Sequence, residues 1–398
     1  MLQTLCTNTC YTPLHICIIV EHIYGFKKMQ AAIRSVVPRV MRRLASSCGR
    51  LRAVALLMLV APFLGPLGAL VMSQGTAGPP SGTTTDIPVA TSLFPMPGIG
   101  GLSTDQLEAT IADGEADGND VFIQDTAWPL HQIGADVAIS NDVTGQGVRI
   151  AILDTGIDYN NPALSHSYVG GYDFVNNDSD PYDDHGHGTF VAGVIAGTIG
   201  GRKGSLGAAP DTEIYSVKVI GAGGRGSVRN IVRGVQWAID NDVQIICMSL
   251  SITYDNPALR AAMEEAYGRG ILLVAAAGNT GGRVTFPARY ETVIAVGSVD
   301  REDQLAKNSA TGPEVEVVAP GVRIISTVPG GSYAVRSGTS YTAGYATGAI
   351  ALLISAHPDL DAEGVRGLLR KGGVDLGAPG RDSQYGYGLI NVADETSE

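Results

Sequence analysis

The sequence predicts an α/β fold in three layers, a mostly parallel central sheet with helices on both faces. Short, continuous apolar runs of strand length recur at 148–153, 214–220, 243–250, 271–276 and 293–299, as expected of strands buried on both faces. Helical stretches at 187–197, 228–241 and 256–269 alternate with them, which implies crossover connections and therefore parallel pairing. Asp154, Gly221 and Asn279 fall where these runs end, and in such sheets chemistry gathers at the carboxyl ends of the strands.

Length and composition fit one large domain with extensions. The chain has 398 residues, 44% of them hydrophobic, with 52 glycines and only 6% aromatics. That aromatic content offers no stacking surface for nucleic acid. The formal charge is −12, and it is unevenly spread. Lys27, Lys28, Arg34, Arg39, Arg42, Arg43, Arg50 and Arg52 face a single acid, Glu21, in the first 72 residues. The rest of the chain is therefore more acidic than the whole, and phosphate backbones would repel it. Nucleic acid is excluded as a partner.

Taken from the start, residues 1–28 are mildly apolar and without a clear pattern, and Met29 and Met41 each open a more conventional leader. From Met41, Arg42, Arg43, Arg50 and Arg52 precede an apolar block at 53–72, the order of a basic n-region and an export signal's hydrophobic region. The block is long enough to span a bilayer. Pro62, Gly65, Pro66 and Gly68 interrupt it, and Gly75-Thr76-Ala77 offers a small-x-small cleavage site. A cleaved signal is preferred over a retained anchor, and either way the body is exported, to an extracellular or cell-surface location. Membrane contact is expected only through this N-terminal segment. Residues 73–120, rich in Gly, Pro, Thr and Ser and then acidic, read as a linker or short pro-region. Order is expected from 128–133 onward, and 121–398 form the main domain.

Cys6, Cys10, Cys17 and Cys48 lie in the leader, which leaves Cys247 alone in the body. No disulfide can form within the body. Cys247 stands in the apolar run 243–250 and reads as a buried core thiol. Beyond the five runs, extended pieces at 315–318 and 322–327 lead into Gly338-Thr339-Ser340, a helix at 342–356 ends before Pro358, and a short helix at 362–370 and the segment 385–390 close the chain. There is no internal repeat, and the oligomeric state expected is a monomer.

The chemistry centres on Ser340. A serine hydroxyl is a poor nucleophile at neutral pH and needs a base within hydrogen-bond reach and a third group to orient that base. Asp154 is a carboxylate at the exit of a buried strand, although helix capping or turn formation explains most such Asp-x-Gly turns. His187 opens a glycine- and alanine-rich helix. His185 and His187 with Asp183 and Asp184 could instead be metal ligands, but no third His, Cys or Glu cluster accompanies them. Asn279 places a side-chain amide at a strand end, either a plain turn residue or an oxyanion donor alongside the Ser340 backbone N–H. Gly221-Ala222-Gly223-Gly224-Arg225-Gly226 matches G-x-G-x-x-G with Asp240 further on. It follows a middle strand rather than the first, so a nucleotide-dependent oxidoreductase is the weaker reading.

Together these segments resemble the subtilisin-like serine proteases, the subtilases. Asp154-Thr155-Gly156-Ile157-Asp158, His187-Gly188-Thr189-Phe190-Val191-Ala192-Gly193 and Gly338-Thr339-Ser340 are similar to the family's aspartate, histidine and serine motifs. Met248-Ser249-Leu250, Ala276-Ala277-Gly278-Asn279, Phe286-Pro287-Ala288, Ala319-Pro320-Gly321 and Tyr385-Gly386-Tyr387-Gly388-Leu389-Ile390-Asn391 match as well, so the resemblance covers about 128–393. It implies a subtilisin-like fold and an exported serine endopeptidase acting on a protein or peptide in extended conformation. Ser340 would be the nucleophile, His187 the general base, Asp154 the residue that orients His187, and Asn279 the oxyanion donor. Gly224, Arg225 and Gly226 with Ser249, Leu250 and Ser251 would flank the substrate, and Ala276, Gly278 and Thr285 would line its site. A non-catalytic binding protein on the same fold is the competing class, and the complete set of four residues argues against it.

Departures from the family pattern carry expectations of their own. Phe190 replaces a second histidine and implies a packing change only. Tyr341 stands in place of methionine and Gly344 in place of proline, and Gly344 is expected to loosen the first turn of the helix that holds Ser340. No cofactor is required; structural calcium is left open, but Ala163 and the loop 199–204 lack oxygen ligands that the family commonly supplies, so the usual tight site is expected to be absent. Thr285 in place of glycine implies a shallower pocket that favours small or medium apolar residues before the scissile bond. Arg225 implies some preference for acidic residues further upstream. The stretch 73–120 is short and acidic for a folded inhibitory propeptide.

Overall fold

A computed structural model describes residues 126–199 and 204–397. The leader 1–72, the linker 73–120 with the preceding cysteines, and loop residues 200–203 lie outside the described residues. Among the described residues no helix is long and apolar enough to cross a membrane.

The chain enters through a helical turn at 126–132 and α1 (Ala135–Ser140). It then forms β1 (Arg149–Asp154), β2 (Tyr168–Asp173), α2 (His187–Ala196), and a short antiparallel pair, β3 (Thr198–Ile199) and β4 (Gly204–Ser205). After these come β5 (Glu213–Lys218), α3 (Val228–Asp240), β6 (Ile245–Met248), α4 (Pro257–Gly268), β7 (Leu272–Ala276), β8 (Val293–Val299) and β9 (Val315–Pro320). The hairpin of β10 (Ile324–Val328) and β11 (Ser332–Arg336) leads to α5 (Thr339–Ala356), and α6 (Ala362–Lys371) follows.

Seven strands form one parallel sheet in the order β2-β5-β1-β6-β7-β8-β9. The expected α/β architecture is therefore present. β1 lies inside the sheet, with Asp154 beside Lys218 of β5 and Ile152 beside Cys247 of β6. Alternate residues of each strand face opposite layers. Ile150, Ile152, Cys247 and Val274 pack with α2 and α5, whereas Ala151, Leu153, Ile246 and Leu273 pack with α3 and α4. Both faces are covered, which is why the strands read as unbroken apolar runs.

α5 is the central helix of its layer. Every residue from Thr339 to Leu353 is buried. A helix buried on all sides needs no polar stripe, and its small residues let neighbours approach. Gly344 is one of them: a Cβ there would lie 2.9 Å from Val194 Cγ1 on α2. This corrects the expectation of a loosened first turn. α5 begins at Thr339, so Gly344 lies within the second turn, and its missing side chain is what allows α2 and α5 to pack closely. Gly344→Ala is therefore expected to destabilise by about 1–3 kcal/mol through overpacking, read as a lowered melting temperature. An unchanged or higher melting temperature would contradict this packing role.

Candidate active site

Asp154 ends β1 and is fully buried. Its Oδ1 accepts hydrogen bonds from the Thr155 backbone N–H and from His187 Nδ1, both at 2.7 Å. His187 is the first residue of α2 and 1% exposed. A carboxylate facing Nδ1 places the proton on that nitrogen and leaves Nε2 as the basic one.

Asp183, which the sequence offered only as a metal ligand, builds this loop. Its Oδ1 accepts from the Thr155 hydroxyl at 2.9 Å, the His185 N–H at 3.0 Å and the Gly186 N–H at 2.8 Å. Its Oδ2 accepts from the Thr189 N–H at 2.9 Å and the Thr189 hydroxyl at 2.6 Å. Both oxygens are thus committed to the strand exit and the first turn of α2, not to a ligand set with His185 and His187. Thr155 completes the link, since its hydroxyl accepts from the Gly188 N–H at 2.9 Å. Gly188 is required here, because a Cβ would fall 2.1 Å from the Gly156 carbonyl oxygen.

Burial opposes ionisation of Asp183, but the Thr189 hydroxyl and the N–H groups of Gly186, Thr189 and His185 outweigh it and hold the carboxyl below its usual range. A carboxyl lowered on folding contributes stability above its unfolded value of about 3.9 and loses it as pH falls through the lower folded value. Asp183→Ala is expected to cost at least about 2 kcal/mol, because it strands buried donors. It should also flatten the acid limb of the stability curve. Urea midpoints measured across acidic pH test both, and a variant with the same acid dependence as the parent would rule out this role. Burial pushes the His185 imidazole below its usual value, and His187 adds to the effect.

Lys218, at the end of β5, is a buried cation that sequence reasoning passed over. Its Nζ donates to the Thr155 carbonyl and to Asp184 Oδ1, each at 2.5 Å. The available signal was a lysine inside the apolar run 214–220.

Ser340 is the second residue of α5 and 9% exposed. Its hydroxyl donates to the Ser249 carbonyl at 3.4 Å, and its own carbonyl accepts from the Ser249 hydroxyl at 2.8 Å. Ser249 thus supports the turn that carries Ser340 with its side chain. Among the described residues no hydrogen bond joins Ser340 to His187, and such bonds are often long before substrate binds. The Tyr341 ring, next along the helix, lies 6.0 Å from the His187 ring.

Asn279 follows β7 and turns its Oδ1 toward α5, where it accepts from the Thr339 N–H at 2.8 Å and the Thr339 hydroxyl at 3.0 Å. Its Nδ2 is left as the donating end. The Thr339 hydroxyl in turn accepts from the Gly278 N–H at 3.2 Å. Sequence reasoning missed Thr339, although its position beside Ser340 marked it.

The other anticipated residues lie on backbone segments around this centre. Leu250 is buried and Ser251 half-buried, and the next residue, Ile252, pairs with Phe286 through two backbone hydrogen bonds of 2.7 and 3.0 Å. That pairing ties the 249–252 segment to Thr285. The Thr285 N–H and hydroxyl both donate to the Ala277 carbonyl, at 3.0 and 3.2 Å, beside buried Ala276 and Gly278. Gly224, Arg225 and Gly226 form a loop folded on itself, with the Gly221 N–H donating to the Arg225 carbonyl at 3.0 Å. Gly224 is buried and Arg225 exposed. Ser227 caps α3 by accepting from the Asn230 N–H.

Ala163, at the position where the resemblance implies a calcium ligand, is buried, has no side-chain oxygen, and its carbonyl accepts from the Thr198 N–H at 3.1 Å. Its side chain supplies no oxygen ligand there.

Comparison with known proteins agrees with the fold. A model of the subtilase family matches residues 145–388, more than half of the chain. The minor extracellular protease Epr of Bacillus subtilis (strain 168) is 40% identical over 285 residues, 71% of this chain and 44% of that protein. The match thus spans less than half the length of Epr. Alkaline elastase YaB of Bacillus sp. (strain YaB) is 39% identical over 291 residues, 72% of this chain and 74% of the relative. Subtilisin DY of Bacillus licheniformis is 40% identical over 278 residues, covering 68% and 98%.

Proposed function

This chain belongs to the subtilase family of serine endopeptidases, and from that premise we propose that it hydrolyses peptide bonds through an acyl-enzyme formed on Ser340. The observation that carries the reading is the 2.7 Å bond from His187 Nδ1 to a fully buried Asp154. It orients the imidazole and leaves Nε2 to take the Ser340 proton as the hydroxyl attacks the substrate carbonyl. His187 then delivers that proton to the leaving amine, and water repeats the sequence to release the acyl group. The Asn279 amide and the Ser340 backbone N–H donate to the oxyanion, and Asp154 stabilises the imidazolium. No cofactor enters these steps. A serine-directed sulfonyl fluoride tests the reading. Inhibition with the reagent bonded to Ser340 is expected, and a folded protein that neither cleaves casein nor becomes labelled would favour a binding role.

The substrate is expected to lie extended along Gly224 to Gly226 on one side and Ser249 to Ser251 on the other, gaining strand-like hydrogen bonds from each. The Thr285 side chain stands beside Gly278, and a pocket shortened by it would suit small or medium apolar residues before the scissile bond. Thr285→Gly should raise kcat/KM for Phe and Tyr at that position by about 10-fold or more. Efficient cleavage after Phe or Tyr by the unaltered protein would refute the preference. Export is proposed from the basic run and apolar block of the leader, and the name of the Epr relative describes an extracellular protease.

A further inference from the structure

Phe190 and Tyr341, two departures from the family pattern, are in contact. Their ring centroids lie 4.4 Å apart at an interplanar angle of 45°. Phe190 is on α2, one turn after His187, and Tyr341 is on α5, directly after Ser340. The rings therefore join the helix of the base to the helix of the nucleophile.

Arg336 covers the Phe190 ring of this pair. It ends β11, and its guanidinium carbon lies 5.1 Å from the Phe190 ring centroid. Its Nη1 also donates to the Gly186 carbonyl at 2.9 Å. That carbonyl belongs to the peptide group linking Gly186 to His187, so Arg336 holds the plane from which the His187 side chain projects. Gly186 caps α2 with φ 90°, and Asp183 holds its N–H from the other side. The segment after Arg336 is pinned as well. The Ser337 hydroxyl accepts from the Arg323 N–H at 2.9 Å, and the Gly338 N–H donates to the Gly321 carbonyl at 2.8 Å.

We propose that Arg336 is a positioning residue: it fixes the Gly186–His187 peptide and the Phe190–Tyr341 ring pair together, and so sets the His187 imidazole relative to Ser340. The proposal rests on the reading of Ser340 and His187 as nucleophile and base. It assigns no substrate contact to Arg336. A planar guanidinium suits the task because it can donate to a carbonyl and lie over an aromatic face at once.

The test is steady-state kinetics of Arg336→Ala and Arg336→Lys beside the parent, with sulfonyl fluoride labelling of Ser340 and thermal melts on each. Arg336→Ala is expected to lower kcat about 10-fold to 100-fold, as loss of alignment does, with KM nearly unchanged and labelling slowed by a similar factor. Arg336→Lys keeps the positive charge and a donor within reach of Gly186 but no planar face for Phe190, and should recover part of both rates. A raised KM at constant kcat would make Arg336 a substrate contact and overturn the proposal. So would an unchanged kcat in Arg336→Ala, or an equal loss in both variants. A parent protein that neither cleaves nor labels would instead remove the underlying nucleophile assignment, and the proposal with it.

Discussion

Replacing Ser340 by alanine is expected to lower kcat by about 10⁶-fold while the protein stays folded, a magnitude taken from nucleophile removal in subtilisin rather than derived from this geometry. The fold should tolerate the change for a specific reason. Among the described residues the hydroxyl makes only the long 3.4 Å contact to the Ser249 carbonyl, whereas the short bond, from the Ser249 hydroxyl to Ser340, goes to a backbone carbonyl that alanine retains. Activity on an apolar peptide and a thermal melt, taken on the same preparation, separate the two effects. A residual rate about 10³–10⁴ above water is expected from Asn279 and substrate binding alone. Retention of even one per cent of the parent activity would mean that the nucleophile lies elsewhere.

Asp154→Asn is expected to cost about 10⁴-fold in kcat with little change in KM, again on the scale known for triad aspartates. Two N–H donors, from Thr155 and His187, converge on Asp154 Oδ1, while among the described residues Oδ2 is buried without a partner. An asparagine that keeps its oxygen on those donors must bury its NH₂ where Oδ2 lies, at a cost of about 1–3 kcal/mol. One that turns over presents a donor to a donor and forces His187 into the wrong tautomer. Either way the negative charge that steadies the imidazolium is lost. A loss below about tenfold would remove Asp154 from the mechanism.

Strands buried on both faces were legible because their residues need no polar alternation, and β8 was bounded correctly at Val293–Val299. β2 was not, because Tyr168 to Asp173 form a half-exposed edge rich in glycine and tyrosine. β11 was missed for a similar reason, since three of its residues after Tyr333 are half-buried and one is Arg336. The Asp154, His187, Asn279 and Ser340 positions could be named from motifs alone. What could not be read was how they are held. A carboxylate among histidines, Asp183, resembles a metal ligand until its donors are known. A glycine in place of proline, Gly344, suggests looseness until Val194 is found against it. Both facts depend on residues distant in sequence brought together by folding.

α5 carries Ser340 and is enclosed on every side from Thr339 to Leu353. Amides in such an element exchange with solvent only when the whole domain opens, so the lifetime of the geometry around Ser340 is the lifetime of the native state itself. Heating should therefore abolish peptide cleavage together with the global transition, with no earlier phase in which a structured but inert protein accumulates.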